Sequence, residues 1–170
     1  MDLALRMAGF VEIPADSEIY VSGDNIRRVL FGVDIGSAEL LMAKNQGYDA
    51  VIAHHPAGGR ARVEAWRVFE KHVNQMVEMG VPETVARATI QKKMSTLEHE
   101  SHSANYDHVP SVARHLQIPF MNIHNPLDEL GRKGITDELS RLFSRKSDVT
   151  VADVISTIKA IPEFERALTE

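Results

Sequence analysis

Residues 28–53 carry the pattern that most narrows what this chain can fold into. Arg28-Val29-Leu30-Phe31-Gly32-Val33-Asp34 is an apolar run that ends in an acid. Ser37 then opens a stretch with Leu40 and Leu41 on one helical face, and the stretch stops at Gly47. Serine suits a helix N-cap, and a residue without Cβ suits the left-handed position past a helix end. Ala50-Val51-Ile52-Ala53 follows as a second apolar run. Strand, helix and strand in that order form a βαβ unit, whose two strands run parallel with a right-handed crossover. Ile52 lies in a run apolar on both faces, as expected of a strand covered by helices on each side.

The rest of the chain extends that unit. Residues 3–10 are expected to form a short helix and residues 18–21 a short strand. Trp66, Phe69, Val73, Met76 and Val77 recur at helical spacing until Gly80 and Pro82, which predicts one long core helix. From Pro82 a second helix aligns Ala86, Ile90, Met94 and Leu97, a stripe also expected in the core. A short helix over 111–117 leads to a third strand over 118–123. Ile135, Leu139, Leu142 and Phe143 share one further helix. The last opens on Thr150 and Asp153 at capping-box spacing and is expected to bury Val151, Val154, Ile155 and Ile158. The expected fold class is α/β, a mostly parallel sheet from βαβ units covered by helices, with residues 1–170 as a single metal-binding domain. A chain of 170 residues is long enough for one proper core and short for two.

Composition removes several function classes. The sequence has no cysteine, so thiolate zinc sites and thiol catalysis are excluded, and any metal is held by nitrogen and oxygen. A formal net charge of −5 disfavours nucleic-acid binding, which depends on clustered Lys and Arg. No apolar run is long enough to cross a bilayer, and residues 1–8 lack a basic segment followed by an apolar one. The expected location is the cytoplasm, with no membrane partner.

Each expected strand ends in residues capable of chemistry: Asp34 after the first, His54-His55 after the second, and His124-Asn125 with Asp128 after the third. In parallel α/β sheets ligands bind beyond the carboxyl ends of strands, where the loops converge. Two adjacent imidazoles point in different directions, so His54 and His55 suit two neighbouring ions better than one, with Pro56 stiffening the turn. Paired ions stand ~3.5–4 Å apart and commonly share a carboxylate, for which Asp128 is the candidate. The polar stretch from Glu98 to His108 is read first as a solvated loop. If helical, it sets His99 and His102 on one face, with Asp107 or His108 able to join them as ligands. Gly58-Gly59-Arg60, with Arg62, is read first as a turn and second as a phosphate contact.

The stretch 29–56, VLFGVDIGSAELLMAKNQGYDAVIAHHP, resembles the first signature of the Nif-three-like dinuclear metal-centre proteins, often described as GTP cyclohydrolase I type 2-like. His124-Asn125-Pro126-Leu127-Asp128, running on to Gly131 and a helix, resembles the second. In the family the asparagine stands two residues after the histidine, whereas Asn125 follows His124 directly; the His-to-Asp separation is kept. The resemblance implies an α/β fold, two divalent ions (zinc, iron, manganese or nickel) and assembly into a homo-oligomeric, hexameric ring. It makes His54, His55 and Asp128 metal ligands and leaves His124 and Asp34 near the site. Imidazole protonates near ~6.5, so His124 is separately expected to move protons as the catalytic residue. The family completes its site with a later His and Glu that have no match here, and the stretch 161–166 resembles the middle of a family member. This chain is therefore expected to be an amino-terminal half or a short variant. Two functions follow as expectations. One is metal-dependent hydrolysis of a small molecule, a purine nucleotide by the family label; the alternative is a non-catalytic metal-binding scaffold or regulatory protein.

Overall fold

Asp49 shows how the first expected unit is locked. Its carboxylate accepts the backbone N–H groups of Arg27 and Arg28 at 2.9 and 2.7 Å, and its own N–H reaches Arg28 O at 2.8 Å. Those two donors hold the Asp49 carboxyl below its ordinary range. This clamp starts strands β2 (Val29–Gly32) and β3 (Ala50–Ala53) in register, Val29 beside Ala50 through Gly32 beside Ala53. The computed structural model describes residues 1–165; Arg166, which ends the stretch read above as mid-family, lies outside them.

The described chain divides into two compact units, Met1–Leu127 and a second from Asp128 onward. In the first, β1 (Glu18–Val21) and β4 (Phe120–Asn122) complete a four-stranded sheet of order β1-β4-β3-β2. The pairs β2–β3 and β3–β4 are parallel, and β1 is an antiparallel edge. The α/β class with a mostly parallel sheet is thus what the chain adopts. Helices α1 (Asp2–Ala8), α2 (Ser37–Asn45), α3 (Gly59–Glu64), α4 (Lys71–Glu78), α5 (Glu83–His102) and α6 (His108–Leu116) belong to this unit. Leu40, Ala43, Val51, Ala53, Ala113, Ile118 and Phe120 form its core, with the Tyr20 ring 4.9 Å from that of Phe120.

Local details differ from expectation for physical reasons. The N-cap of α2 is Gly36, not Ser37; the Glu39 carboxylate accepts the Gly36 N–H at 2.8 Å, while Ser37 Oγ lies 3.2 Å from His108 Nε2. Gly47 does end the helix at φ +70°. The single long helix expected before Gly80 is α3, a 3-10 segment (Ala65–Glu70) and α4. Trp66 and Phe69 are three apart, a spacing that suits the tighter turn; they are half-buried, Val73 is buried and Val77 exposed. Ile52 is half-buried, whereas Val51 beside it is fully enclosed. The third strand is shorter than 118–123 because α6 ends in Gln117 at φ +50° and Ile118 goes into the core instead.

Two helices make up most of the described chain after Leu127. Helix α7 spans Asn125–Arg145 and α8 spans Val151–Lys159. The expected capping box is present: Thr150 Oγ1 accepts Asp153 N–H at 3.2 Å, and Asp153 Oδ2 accepts Thr150 N–H at 2.8 Å. The expected burial of Val151 and Ile155 is absent, both side chains being exposed. Two helices by themselves bury too small a fraction of their surface to enclose an apolar face.

Candidate metal centre

The parallel ladder runs two residues past its strands. His54 N–H donates to Gly32 O at 2.8 Å and His55 N–H to Val33 O at 2.9 Å, so the backbone of both histidines is fixed by the chain leaving β2. His124 leaves β4, and its N–H donates to Ser17 Oγ at 3.0 Å. Because β3 and β4 are adjacent and parallel, the three side chains emerge at the same sheet end. Ring centroids are 5.1 Å apart for His54 and His55, 4.8 Å for His54 and His124, and 5.5 Å for His55 and His124.

Each imidazole has its Nδ1 already engaged by an acceptor. His54 Nδ1 lies 3.1 Å from Ile123 O, His55 Nδ1 2.8 Å from Asp34 Oδ1, and His124 Nδ1 2.7 Å from Asp16 Oδ2. A carbonyl or carboxylate can only accept, so each Nδ1 carries the hydrogen, and Nε2 is the ring atom that could meet a metal. Among the described residues His54, His55 and His124 form a metal-competent group, with one ligand atom from each lying within 4.8 Å of the others. Two nitrogens on one tetrahedral zinc stand roughly 3.3 Å apart for ~2.05 Å bonds. The observed spacing therefore suits one ion after slight ring rotation, or an ion pair ~3.5–4 Å apart. Imidazole donors whose orientation is set in this way fit a divalent transition ion.

The sequence-derived residues are placed as follows. His54, His55 and His124 come together, and Asp34 joins them through His55. Asp128 is exposed in the first turn of α7, at the start of the second unit. The segment 98–108 is not a loop throughout: His99 and His102 are exposed in the last turn of α5, Asp107 forms a two-pronged pair with Arg114 at 2.7 and 2.6 Å, and His108 faces Ser37. The Gly58-Gly59 loop is a structural turn. Glu18 Oε2 accepts Ala61 N–H at 2.8 Å at the start of α3, and a Cβ on Gly59 would come within 2.4 Å of that same oxygen. A carboxylate in that position repels phosphate.

Sequence reasoning missed Asp16, Ser17 and Tyr20. Asp16 and Ser17 are fully buried before β1 and grip the ring and backbone of His124. Buried Asn122 donates to Asp16 O at 2.7 Å and accepts the Tyr20 hydroxyl at 2.7 Å. Tyr20 in turn accepts Ala57 N–H at 3.2 Å, tying the loop after His55 to β1. Burial pushes the Tyr20 phenol well above its ordinary value. The one local signal was Asp16-Ser17 placed directly before an expected strand.

Among solved structures, the chain is similar to a NIF3 superfamily protein from Sphaerobacter thermophilus, with 46% sequence identity and a TM-score of 0.93. The match covers 96% of this chain and 60% of that one. No protein-family model and no curated protein matched the chain.

Proposed function

We infer, from this chain's membership of the NIF3 superfamily and from its three gathered imidazoles, that it binds divalent transition metal through His54, His55 and His124. The observation that carries this reading is the common tautomer. Three rings from two strands each turn Nδ1 to an acceptor, which makes Nε2 the atom that would meet a metal. The carboxylate of Asp128, four residues after His124, is a further proposed donor by sequence resemblance alone. Imidazole and carboxylate donors suit zinc, iron, manganese or nickel.

The finer reading is metal-dependent hydrolysis of a small molecule, a purine nucleotide such as GTP by the resemblance. A divalent ion bound here would supply Lewis acidity and bring the pKa of water toward ~7. The chain's own residues hold that ion and fix its orientation: the carbonyl of Ile123 and the carboxylates of Asp34 and Asp16 set the three rings. While His124 Nε2 serves as a donor it cannot also carry a proton, because its Nδ1 hydrogen is committed to Asp16. A proton-moving role and a ligand role for His124 are therefore exclusive. Assembly as a homo-oligomeric ring and a cytoplasmic location belong to the same proposal; among the described residues no helix is long and apolar enough to cross a membrane.

Elemental analysis of protein purified without chelator, with zinc and manganese titrations, tests the reading. Wild type should bind one or two ions, and His54→Ala, His55→Ala and His124→Ala should each lower affinity with helix content unchanged; Asp128→Asn tests the added carboxylate. Full stoichiometry in all three histidine variants would sink the assignment. Metal-dependent GTP turnover, abolished by chelator, separates the enzyme from the scaffold, and light scattering reads the oligomer mass.

A further inference from the structure

We propose that Asp16 is the positioning residue of this centre: its buried carboxylate fixes the Nδ1–H tautomer and the angle of His124, and so makes Nε2 a metal donor. The proposal rests on the metal-binding reading above but adds a group that neither sequence pattern nor histidine cluster contains. Three observations carry it. First, the Asp16 side chain is 1% exposed, and its Oδ2 stands 2.7 Å from His124 Nδ1. A buried carboxylate strengthens this hydrogen bond and pays for its own desolvation only through such partners. Second, the neighbouring Ser17 hydroxyl accepts the His124 N–H at 3.0 Å, so two consecutive residues hold both the backbone and the ring of one histidine. Third, Asp16 is itself held: Asn122 Nδ2 donates to its backbone oxygen at 2.7 Å, and Asn122 is anchored by Tyr20 at 2.7 Å. The backbone that carries the acid is thus held, and the Ser17 hydroxyl lies 3.4 Å from its other oxygen, Oδ1.

The other two histidines provide internal controls. His54 leans on a backbone carbonyl, which no substitution removes. His55 leans on Asp34, whose side chain is 84% exposed and free to exchange its place with water. At His124 a buried side chain meets Nδ1. Partners of this kind raise the basicity of the ligand, and their loss typically lowers metal affinity ~10–100-fold.

The experiment is zinc titration of the full chain as wild type, Asp16→Ala, Asp16→Asn, Asp34→Asn and His124→Ala, with nitrogen NMR of the His124 ring assigned by its loss in His124→Ala. Wild type should show the Nδ1–H tautomer. Asp16→Ala should lose zinc affinity by ~10–100-fold. Asp16→Asn, which can still accept through Oδ1, should recover part of it, and Asp34→Asn should cost under about threefold, as an exposed pair does. Asp16→Ala combined with His124→Ala should bind no more weakly than His124→Ala alone. A structural role would not give that non-additivity or the tautomer change. An Nε2–H ring in wild type, or wild-type affinity in folded Asp16→Ala, overturns the proposal. If Asp16→Ala fails to fold, the wild-type tautomer and Asp16→Asn still decide. If wild type binds no zinc, the metal reading falls on its own evidence, while an Nδ1–H tautomer that Asp16→Asn disturbs would still uphold the positioning of the ring.

Discussion

Two carboxylate–imidazole pairs flank the same histidine cluster, and they are built in opposite ways. Asp16 meets His124 before the antiparallel edge strand, 1% exposed, inside a chain of hydrogen bonds through Asn122 and Tyr20. Asp34 meets His55 just past β2, 84% exposed beside a ring 47% exposed, at nearly the same distance. Equal geometry hides unequal energetics. In the buried pair the acid has no water to fall back on, so removing its imidazole partner leaves a buried carboxylate oxygen unsatisfied. In the exposed pair water replaces either partner at little cost, and salt screens what remains. The difference teaches that His124 is held rigidly and His55 adjustably; in the proposed metal site one donor would be fixed and the other free to adjust.

The largest effect should come from removing the platform that both pairs share. Val51 is fully buried in β3 between β2 and β4. An aspartate there would bury an unpaired carboxylate at a cost of several kcal/mol. Val51→Asp should lose cooperative thermal unfolding by circular dichroism, and both imidazole pairs with it. A soluble, cooperatively melting Val51→Asp protein would show that the pairs do not depend on this strand.

The comparison itself is tested next. Asp16→Ala should destabilise the fold by about 1–3 kcal/mol, since it strands the Nδ1–H of the His124 ring without its acceptor. Asp34→Ala should cost below ~1 kcal/mol and less still at high salt. Urea unfolding of both variants at two ionic strengths reads the contrast. Equal losses would mean that burial does not distinguish the two pairs.

How the two pairs stood in the sequence follows from the same contrast. Asp34 was visible because it closes an apolar run within one βαβ unit, 21 positions from His55. Local pattern was enough: β2, α2 and β3 fall where periodicity and glycine placed them, and His54 and His55 follow directly. Asp16 is 108 positions from His124, and the two meet only because β1 pairs antiparallel with β4. No spacing rule reports a partner at that separation. The same limit explains the helices. Apolar stripes located α4, α5, α7 and α8, but a stripe says which face is apolar, not whether anything covers it. Val51 is enclosed by a sheet, whereas Val151 and Ile155 are exposed.

Tyr20 offers a smaller probe of the buried side. Tyr20→Phe removes the donor to Asn122 and the acceptor for Ala57 N–H, and should cost roughly 1 kcal/mol. It also changes the alkaline limb. Burial raises the folded-state value of this phenol above the ~10 of an unfolded chain. Its neutral form therefore contributes stability that is fully present below pH ~10 and lost as pH rises beyond it. Stability measured from pH 8 to 11 should fall more steeply in wild type than in Tyr20→Phe. Parallel curves would remove Tyr20 from the network that supports Asp16.

The smallest expected effect lies at the start of α8, where a third carboxylate stands between the other two in exposure, 28% against 1% and 84%. Asp153 accepts from Lys146 Nζ at 2.7 Å and from both the hydroxyl and the backbone N–H of Thr150. Lys146 first, and then the Thr150 hydroxyl, hold its carboxyl well below the ordinary range. A lowered value means stability that is present above pH ~4 and lost as pH falls through the folded-state value. Thr150→Ala removes the side-chain acceptor for Asp153 N–H and should cost about 0.5–1 kcal/mol, the low end for an exposed cap. Because the cap serves only the first turn of α8, the loss should appear as reduced helicity on acidification, with zinc affinity unchanged. A Thr150→Ala protein that binds zinc as poorly as Asp16→Ala would tie the helical unit to the metal centre and break the division drawn between buried and exposed carboxylates.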